Sequence, residues 1–447
     1  MGLSGLDIYK LLPKTNCREC GFATCLAFAM QLAKKAVGID KCPYLDFEAK
    51  AKLEAQAQPP IKLITIGQGE TRLEVGNENV LFRHEEKFYR PTGIGFILED
   101  NITDAEIKDR VEKINGLKFE RIGQTLEANL IAIRQNKDAK RFVNVVKIVS
   151  ANTSLGLVLM SDDAQGLKCA LEILKGKNPL VYHATKENLS GFAQLAKEYK
   201  VPLVAQADEL EKISELSVEL VKQGVKDLVI EIGKKSISER IWDLTQIRRL
   251  ALKKSNRSLG YPSLVVVDKN DLYEEIQEAA TYISKYAGII LIKNIEAWAV
   301  LSLLTLRQNI YTDPQKPLQI EPRLYPIGQV TDKSPVLITT NFSLSYYTVL
   351  GEVEASKIPS YIISVDTEGM SVLTAWAAEK FTPHKITETI NKIGVKDIVS
   401  HKHLVIPGYV AVMSGELQDE SGFEIIVGPK EAAGLPSFLK NLQYEQI

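Results

Sequence analysis

The chain has 447 residues, with 55 basic against 56 acidic side chains and a formal net charge of -1. Its pI near 6.6 and lack of a basic tract leave no field that would gather nucleic acid or an anionic membrane surface. The longest apolar run, Ala297 to Leu306, is flanked by Glu296 and Arg307 and is about half the length a bilayer requires, and the start lacks a charged-then-apolar leader, so the sequence predicts a soluble, cytoplasmic protein and a buried helix at that run.

The first feature in chain order is a cysteine array. Cys17, Cys20, Cys25 and Cys42 form C-x2-C-x4-C-x16-C, and only Cys169 lies elsewhere. Thiolates crowded at short spacings in a cysteine-poor chain are arranged to hold a metal or a cluster. Gly21 allows a tight turn that exposes amide N–H groups, and Pro43 stiffens the chain after the last cysteine. A [4Fe-4S] cluster fits best. Structural zinc remains an alternative, although zinc ribbons usually show two C-x2-C pairs. Disulfides fit poorly because a chain this long needs no staples. Cys169, in GLKCALEIL, reads as a small buried hydrophobe.

The length suggests two to four domains. AKAKLEAQAQ, closed by Pro59 and Pro60, reads as a solvated helix end and a linker, ending a small N-terminal domain at residue 58. The proline-spaced run from Asp313 to Pro335 allows no continuous helix or central strand and marks a second join. The expected domains are therefore 1–58, 59–325 and 326–447. Between the joins, GIGFIL (Gly93), FERI (Phe119), LVLM (Leu157), PLVY (Pro179), PLVA (Pro202), LVIEI (Leu228), LVVV (Leu264) and GIILI (Gly288) give eight strand candidates, most followed by an amphipathic stretch. Eight such units predict a (β/α)8 barrel, with an open doubly wound sheet as the alternative. KLITIG at Lys62 and LFRHEEKFYRP at Leu81 would then form a hairpin-like lid over one end.

The carboxyl ends of these strands carry Glu99, Asp100, Asn101, Ser161, Asp162, Asp163, His183, Glu231, Asp268, Asn270, Lys293 and Asn294. Such a ring could hold a polar heterocycle such as a pterin, but loops after strands are polar in any barrel and often cap the next helix, as Asp162 would. In the last 120 residues PVLITT (Pro335), YIISVD (Tyr361), LVIP (Leu404) and EIIVGP (Glu424) read as the buried parallel strands of a Rossmann-like sheet. The rim beyond their carboxyl ends is rich in small residues, including Thr340, Ser343, Gly369, Ser371, Thr374, Gly408, Ala432, Ala433 and Gly434, as a wide flat cofactor pressed on backbone would need. A G-x-G-x-x-G fingerprint is missing, which argues against a dinucleotide. The fold class is thus α/β multidomain: a small N-terminal Fe-S helical domain, a central (β/α)8 barrel and a C-terminal Rossmann-like domain.

This order of parts, opening with IYKLLPKTNCRECGFATCLAFA, resembles over the whole chain the large subunit of the corrinoid iron–sulfur protein of the reductive acetyl-CoA pathway. The resemblance implies that the four N-terminal cysteines hold a [4Fe-4S] cluster and that the C-terminal domain binds a corrinoid (cobamide). It favours contacts from Thr340, Tyr346, Met370, Ser371, Val372, Leu373, Thr374 and Ala433. It implies a heterodimer with a barrel-shaped small subunit, and methyl carriage between methyltetrahydrofolate and acetyl-CoA synthase through a separate methyltetrahydrofolate methyltransferase. A low-potential donor such as ferredoxin would feed the cluster. The D-x-H-x-x-G motif that supplies an axial histidine in many cobalamin domains is absent, and His384, His401 and His403 lack its context. Without a strong lower donor, Co(II) should be easier to reduce to nucleophilic Co(I). Two other readings stay open: a barrel methyltransferase acting directly on a methyl-pterin, and an Fe-S electron-transfer or scaffold protein without corrin.

Overall fold

The computed structural model describes residues 5–33, 37–46, 49, 53, 59–233 and 235–442. By compactness the chain divides into two units, Met1–Lys118 with Glu127–Tyr311, and Phe119–Leu126 with Thr312–Ile447.

In the first unit, α1 (Gly5–Leu11) and α2 (Cys25–Ala33) pack together through Ile8, Leu12, Phe28 and Ala29, with Leu53 completing this small core. Cys25 lies within it, and Cys20 and Cys42 pack against its edge. The AKAKLEAQAQ segment expected to be a solvated helix end falls, apart from the buried Ala49 and Leu53, outside the described residues.

The eight-stranded parallel barrel expected from the alternating units is closed, which decides against the open doubly wound sheet. Its strands are β3 (Gly93–Glu99), β6 (Leu130–Arg134), β7 (Gly156–Met160), β8 (Leu180–Ala184), β9 (Leu203–Ala207), β10 (Leu228–Ile232), β11 (Ser263–Val266) and β12 (Ile289–Ile292). Its helices are α3 (Asp104–Asn115), α4 (Ala139–Asn152), α5 (Ala164–Ile173), α6 (Leu189–Tyr199), α7 (Leu210–Lys222), α8 (Ile237–Lys254), α9 (Leu272–Ile283) and α10 (Ala297–Tyr311). One strand differs from expectation. FERI lies in β4 (Lys118–Arg121), which turns back into β5 (Gln124–Glu127) as a separate two-stranded hairpin, and the barrel's second strand is instead LIAIR, Leu130–Arg134. KFER alternates exposed and half-buried residues, whereas four of the five LIAIR residues are buried, as a parallel barrel strand requires.

The lid is also built differently. β1 (Ile64–Ile66) pairs antiparallel with β2 (Leu73–Val75), not with the segment at Leu81, and Ile64, Ile66, Leu73 and Val75 join the barrel's interior core. It sits at the strands' amino ends: a Cβ on Gly93 would stand 2.4 Å from Leu73 Cδ2, so the glycine makes room for the plug. Residues 81–90 run instead as an irregular strap. Buried Arg248 fastens it, pairing with Glu78 Oε2 at 2.9 Å and donating from Nε to the Val80 carbonyl at 2.9 Å. Glu78 Oε1 accepts the N–H groups of Tyr89 and Arg90 at 2.9 and 2.8 Å. Cys169 is exposed, contrary to expectation, because α5 buries Gly166, Leu167, Ala170 and Leu171 on its other face. The apolar run at Ala297 forms α10, with Val300, Leu303 and Leu304 buried. Among the described residues no helix is long and apolar enough to cross a membrane.

In the second unit a five-stranded sheet has the order β13-β15-β14-β16-β17, with β14 (Val336–Thr340), β15 (Ser360–Val365), β16 (His403–Ile406) and β17 (Glu424–Val427) parallel. These are the four strands expected. β13 (Leu324–Ile327) adds an antiparallel edge inside the proline-spaced run, where Pro326 is tolerated, and the expected join at 325/326 falls within it. The sheet is flanked by α11 (Ser343–Ser356), α12 (Val372–Ala377), α13 (Pro383–Ile393), α14 (Val395–Ile398), α15 (Ser414–Ser421) and α16 (Leu435–Asn441). Strand alternation divides the core. Val336 and Ile338 face one cluster with Phe381, Ile386 and Leu417, while Leu337 faces the other with Tyr346, Val353 and Leu439. The tip of the β4–β5 hairpin belongs to that second cluster through Ile122, whose N–H donates to Tyr347 Oη at 2.8 Å.

Candidate functional site

The four N-terminal cysteines occupy one loop and its flanks, and all are free thiols. Three non-glycine residues, Lys14, Asn16 and Arg18, take positive φ just before Gly21 (φ +84°), whose N–H closes a turn onto the Arg18 carbonyl at 2.9 Å. The loop ends where Thr24 caps α2, its Oγ1 accepting the Ala27 N–H at 3.1 Å. Cys25, the first helical residue, is buried, Cys20 and Cys42 are half-buried, and Cys17 is exposed. Burial pushes the Cys42 thiol up, a hydrogen bond from the Tyr44 backbone works against that, and the charges of Cys20, Cys25 and Cys17 add to the rise. Cys42 therefore feels the charges of the other three. Such a set gains by sharing their negative charge with iron or zinc. Among the described residues no three His, Cys, Asp or Glu side chains close on a point that would hold a single metal ion.

The second site lies beyond the carboxyl ends of β14, β16 and β17. A cavity of about 290 Å³ opens between the sheet, α11 and the loop leading to α16, lined by Leu337, Thr339, Phe342, Thr348, Tyr409 and Pro429 among others. This volume is at the lower limit for small-ligand clefts, about 300–1,000 Å³. A single flat ring system or a cofactor tail fits inside, and anything broader must lie on the rim. The rim exposes Leu344, Leu373, Trp376, Tyr409 and Val412, the last 77% accessible.

Of the residues expected at this site, Ser371, Val372 and Ala432 line the cavity. Gly408 shapes it, packed against the Gly428–Lys430 backbone. Leu373, Thr374 and Ala433 are exposed nearby, and Thr374 Oγ1 lies 3.0 Å from Ser371 Oγ. Gly434 precedes α16, and Ser343 opens α11 with its N–H on the Leu318 carbonyl at 3.0 Å. Gly369 adopts φ +76° with its N–H on Asn341 Oδ1 at 2.9 Å. Three residues face elsewhere. Met370 packs on the opposite core, buried Thr340 shares the face of Val336 and Ile338, and Tyr346 is a core ring 4.8 Å from the Tyr325 ring. Thr348 was not expected here, and Thr339 and the Gly428–Lys430 turn, which lie in the strand-end segments expected to form the rim, were not singled out, although the alternation along VLITT separates Thr339 from Thr340. Asn341 in the same segment, given no role from the sequence, uses its buried amide oxygen to accept the N–H groups of Thr367 and Gly369 and so joins the loops after β14 and β15.

His401 and His403 stand at the amino end of β16, away from the cavity; His401 Nε2 is 2.9 Å from the Ser334 carbonyl and His403 Nε2 is 3.2 Å from Glu424. His384 is exposed beside Glu420.

At the barrel mouth the polar ring is largely engaged by the scaffold. Asp100 Oδ1 accepts the N–H groups of Asn136 and Lys137 at 2.7 and 3.0 Å. Asp163, not Asp162, caps α5 through the Gln165 N–H at 3.0 Å, and Ser161 Oγ accepts the Asp163 N–H at 3.0 Å. Asn101 Nδ2 donates to Glu99 at 3.3 Å, and Glu275 accepts the N–H groups of Lys293 and Asn294. Asp268 is bridged by Arg134 and Lys293 at 2.8 and 2.5 Å; burial alone would raise its carboxyl, but these two cations hold it below the usual range. Burial pushes His183 down, and Glu231 lies within the mouth beside Tyr182.

Comparison with known proteins adds to this geometry. The profile of the CO dehydrogenase/acetyl-CoA synthase delta subunit family matches residues 63–439, and one for an Fe-S cluster matches residues 12–44. The chain is 46% identical to the corrinoid/iron-sulfur protein large subunit of Moorella thermoacetica, over 98% of this chain and 99% of that one. It is 36% identical to the acetyl-CoA decarbonylase/synthase complex subunit gamma of Methanothermobacter thermautotrophicus, over the whole of both chains. The profile's description names a delta subunit, but these matches span the chain end to end, cysteine region included, and are the better guide. Among solved structures, dihydropteroate synthase of Thermus thermophilus aligns with 55% of this chain and all of that one at 13% identity and a TM-score of 0.39, too remote to bear on function. The chain belongs to the family of corrinoid/iron-sulfur protein large subunits and acetyl-CoA decarbonylase/synthase gamma subunits.

Proposed function

We propose that this protein carries methyl groups on a corrinoid held at the strand-end cavity of its C-terminal unit, with a [4Fe-4S] cluster on Cys17, Cys20, Cys25 and Cys42 as the entry point for reducing electrons. The observation that carries the reading is the cavity: apolar, sized for a cofactor tail, and opening onto a broad rim of small and exposed apolar residues. Leu337, Thr339, Thr348, Ser371, Val372 and Ala432 would receive the tail. Ser371, Thr374 and the backbone around Gly408 would meet the ring's polar edge. The bound corrinoid would supply a cobalt centre that, once reduced, takes up a methyl group and gives it up again. This chain's part is to seat the ring without offering a strong lower donor, since His401 and His403 stand at the other end of β16.

The exposed Leu344, Leu373, Trp376, Tyr409 and Val412 support a covering partner, for which the small subunit implied by the relatives' naming is the candidate. Acetyl-CoA synthase would receive the methyl group, a separate methyltetrahydrofolate methyltransferase would deliver it, and a ferredoxin-like donor would reduce the cluster. Engagement of Asp100, Asp163 and Asp268 by the scaffold favours this carrier role over a catalytic barrel. The test is transfer of a radiolabelled methyl group from methyltetrahydrofolate to the reduced, corrinoid-loaded heterodimer. Labelling should be very slow until the methyltransferase is added. Equal, fast labelling without it would make the barrel the catalyst.

A further inference from the structure

Cys25 differs from the other three thiols in its hold on the loop. Its backbone N–H, left without an intrahelical partner at the start of α2, donates to Asn16 Oδ1 at 2.8 Å. In return the Asn16 backbone N–H points to Cys25 Sγ at 3.4 Å. This reciprocal pair spans nine residues and closes the loop that holds Cys17 and Cys20. It requires Asn16 at φ +49°, a left-handed conformation that asparagine tolerates better than most residues.

We infer that Asn16 is a positioning and tuning residue for the cluster: its side chain fixes where Cys25 presents its sulfur, and its backbone N–H sets the electron affinity there. The inference rests on the cluster reading above. Reduction of a [4Fe-4S] centre takes one electron from an external reductant and no proton, and the added negative charge is shared by the thiolate sulfurs. An N–H donor to sulfur stabilises that more negative form, so it raises the potential. Side chain and backbone do separable jobs. Asn16→Gly keeps the left-handed backbone and the N–H to sulfur but removes the amide oxygen. Asn16→Ala removes the amide oxygen and also disfavours the left-handed backbone, and Asn16→Asp retains an acceptor for the Cys25 N–H.

Two measurements on the full chain test this. In the metal-free protein, alkylation followed by peptide mapping should find wild-type Cys25 at least tenfold slower than exposed Cys17. Asn16→Ala and Asn16→Gly should remove that protection, and Asn16→Asp should keep it. In the iron-reconstituted protein, an EPR-monitored reductive titration should show Asn16→Ala harder to reduce by tenfold or more in the reduced-to-oxidised ratio, about 59 mV for a one-electron couple. Asn16→Gly should remain near wild type. Unchanged Cys25 reactivity in Asn16→Ala and Asn16→Gly would overturn the positioning role, and an unchanged potential in Asn16→Ala would overturn the tuning role. A wild-type chain that takes up zinc and no iron would refute the cluster itself and the tuning with it, while the alkylation series still decides the positioning.

Discussion

Gly408 lies where the loops after β16 and β17 come closest. A Cβ there would stand 2.5 Å from the Gly428 carbonyl oxygen, 2.8 Å from Lys430 N and 2.9 Å from Pro429 C. All three are backbone atoms, so no rotamer change relieves the clash and one loop must move. Two hydrogen bonds join these loops, Gly408 N–H to the Pro429 carbonyl at 3.1 Å and Gly428 N–H to the Ile406 carbonyl at 2.9 Å. Overpacking costs about 1–3 kcal/mol, and each weakened hydrogen bond up to about 1 kcal/mol more. Gly408→Ala should therefore destabilise this unit by roughly 1–5 kcal/mol. Because Pro407, Tyr409, Pro429 and Lys430 all line the cavity, it should also loosen the corrinoid. The control is Gly415→Ala in the first turn of α15, where nothing lies within 4 Å and the change should leave the helix unharmed or stabilise it by less than about 0.5 kcal/mol. Hydrogen exchange of β16 and β17, with corrin absorbance retained after gel filtration, reads both effects. Equal protection and equal retention in the two variants would refute the reasoning.

Removing one partner of the buried Arg248–Glu78 pair should be costly, because the other charge stays buried: Arg248→Met is expected to lose about 3–5 kcal/mol in urea unfolding of the barrel, and a loss under about 1 kcal/mol would show that the strap is not held this way. Asp268 has a folded pKa depressed below its unfolded value, so its contribution is present above the unfolded pKa, near 4, and fades as pH falls through the folded one. Wild type should accordingly lose its stability advantage over Asp268→Asn between about pH 5 and pH 2, by no more than about 1 kcal/mol for so exposed a pair; an advantage independent of pH would contradict the ion-pair explanation.

The sequence exposed the barrel because most of its strands are unbroken apolar runs ended by polar loops. It misplaced the second strand because FERI has β-favouring residues, yet its alternation belongs to a hairpin with one open face, while LIAIR shows the unbroken burial of its neighbours. Cys169 was misjudged because its neighbours Leu167, Ala170 and Leu171 are buried, while the cysteine itself points outward from the same helix. The C-terminal rim was legible as a region but not residue by residue. Ser371, Val372 and Ala432 reach the cavity, and on α11 Thr348 reaches it too, whereas Tyr346 on the same helix turns into the core. Which face of a helix meets a sheet depends on packing partners far away in the sequence, such as Ile122 for this one. The Asn16–Cys25 pair was likewise invisible, since it depends on a left-handed backbone at one non-glycine residue.

The central claim, two cofactors at independent sites in one chain, is tested most directly by metal analysis of the anaerobically prepared heterodimer as wild type and as Cys20→Ala. Wild type should contain about four iron atoms and one cobalt per large subunit, the iron count being that of a cubane on four thiolates. Cys20→Ala should lose the iron and keep the cobalt, because the thiols and the cavity belong to different compact units. Stoichiometric zinc without iron, or a wild-type protein without cobalt, would contradict the account.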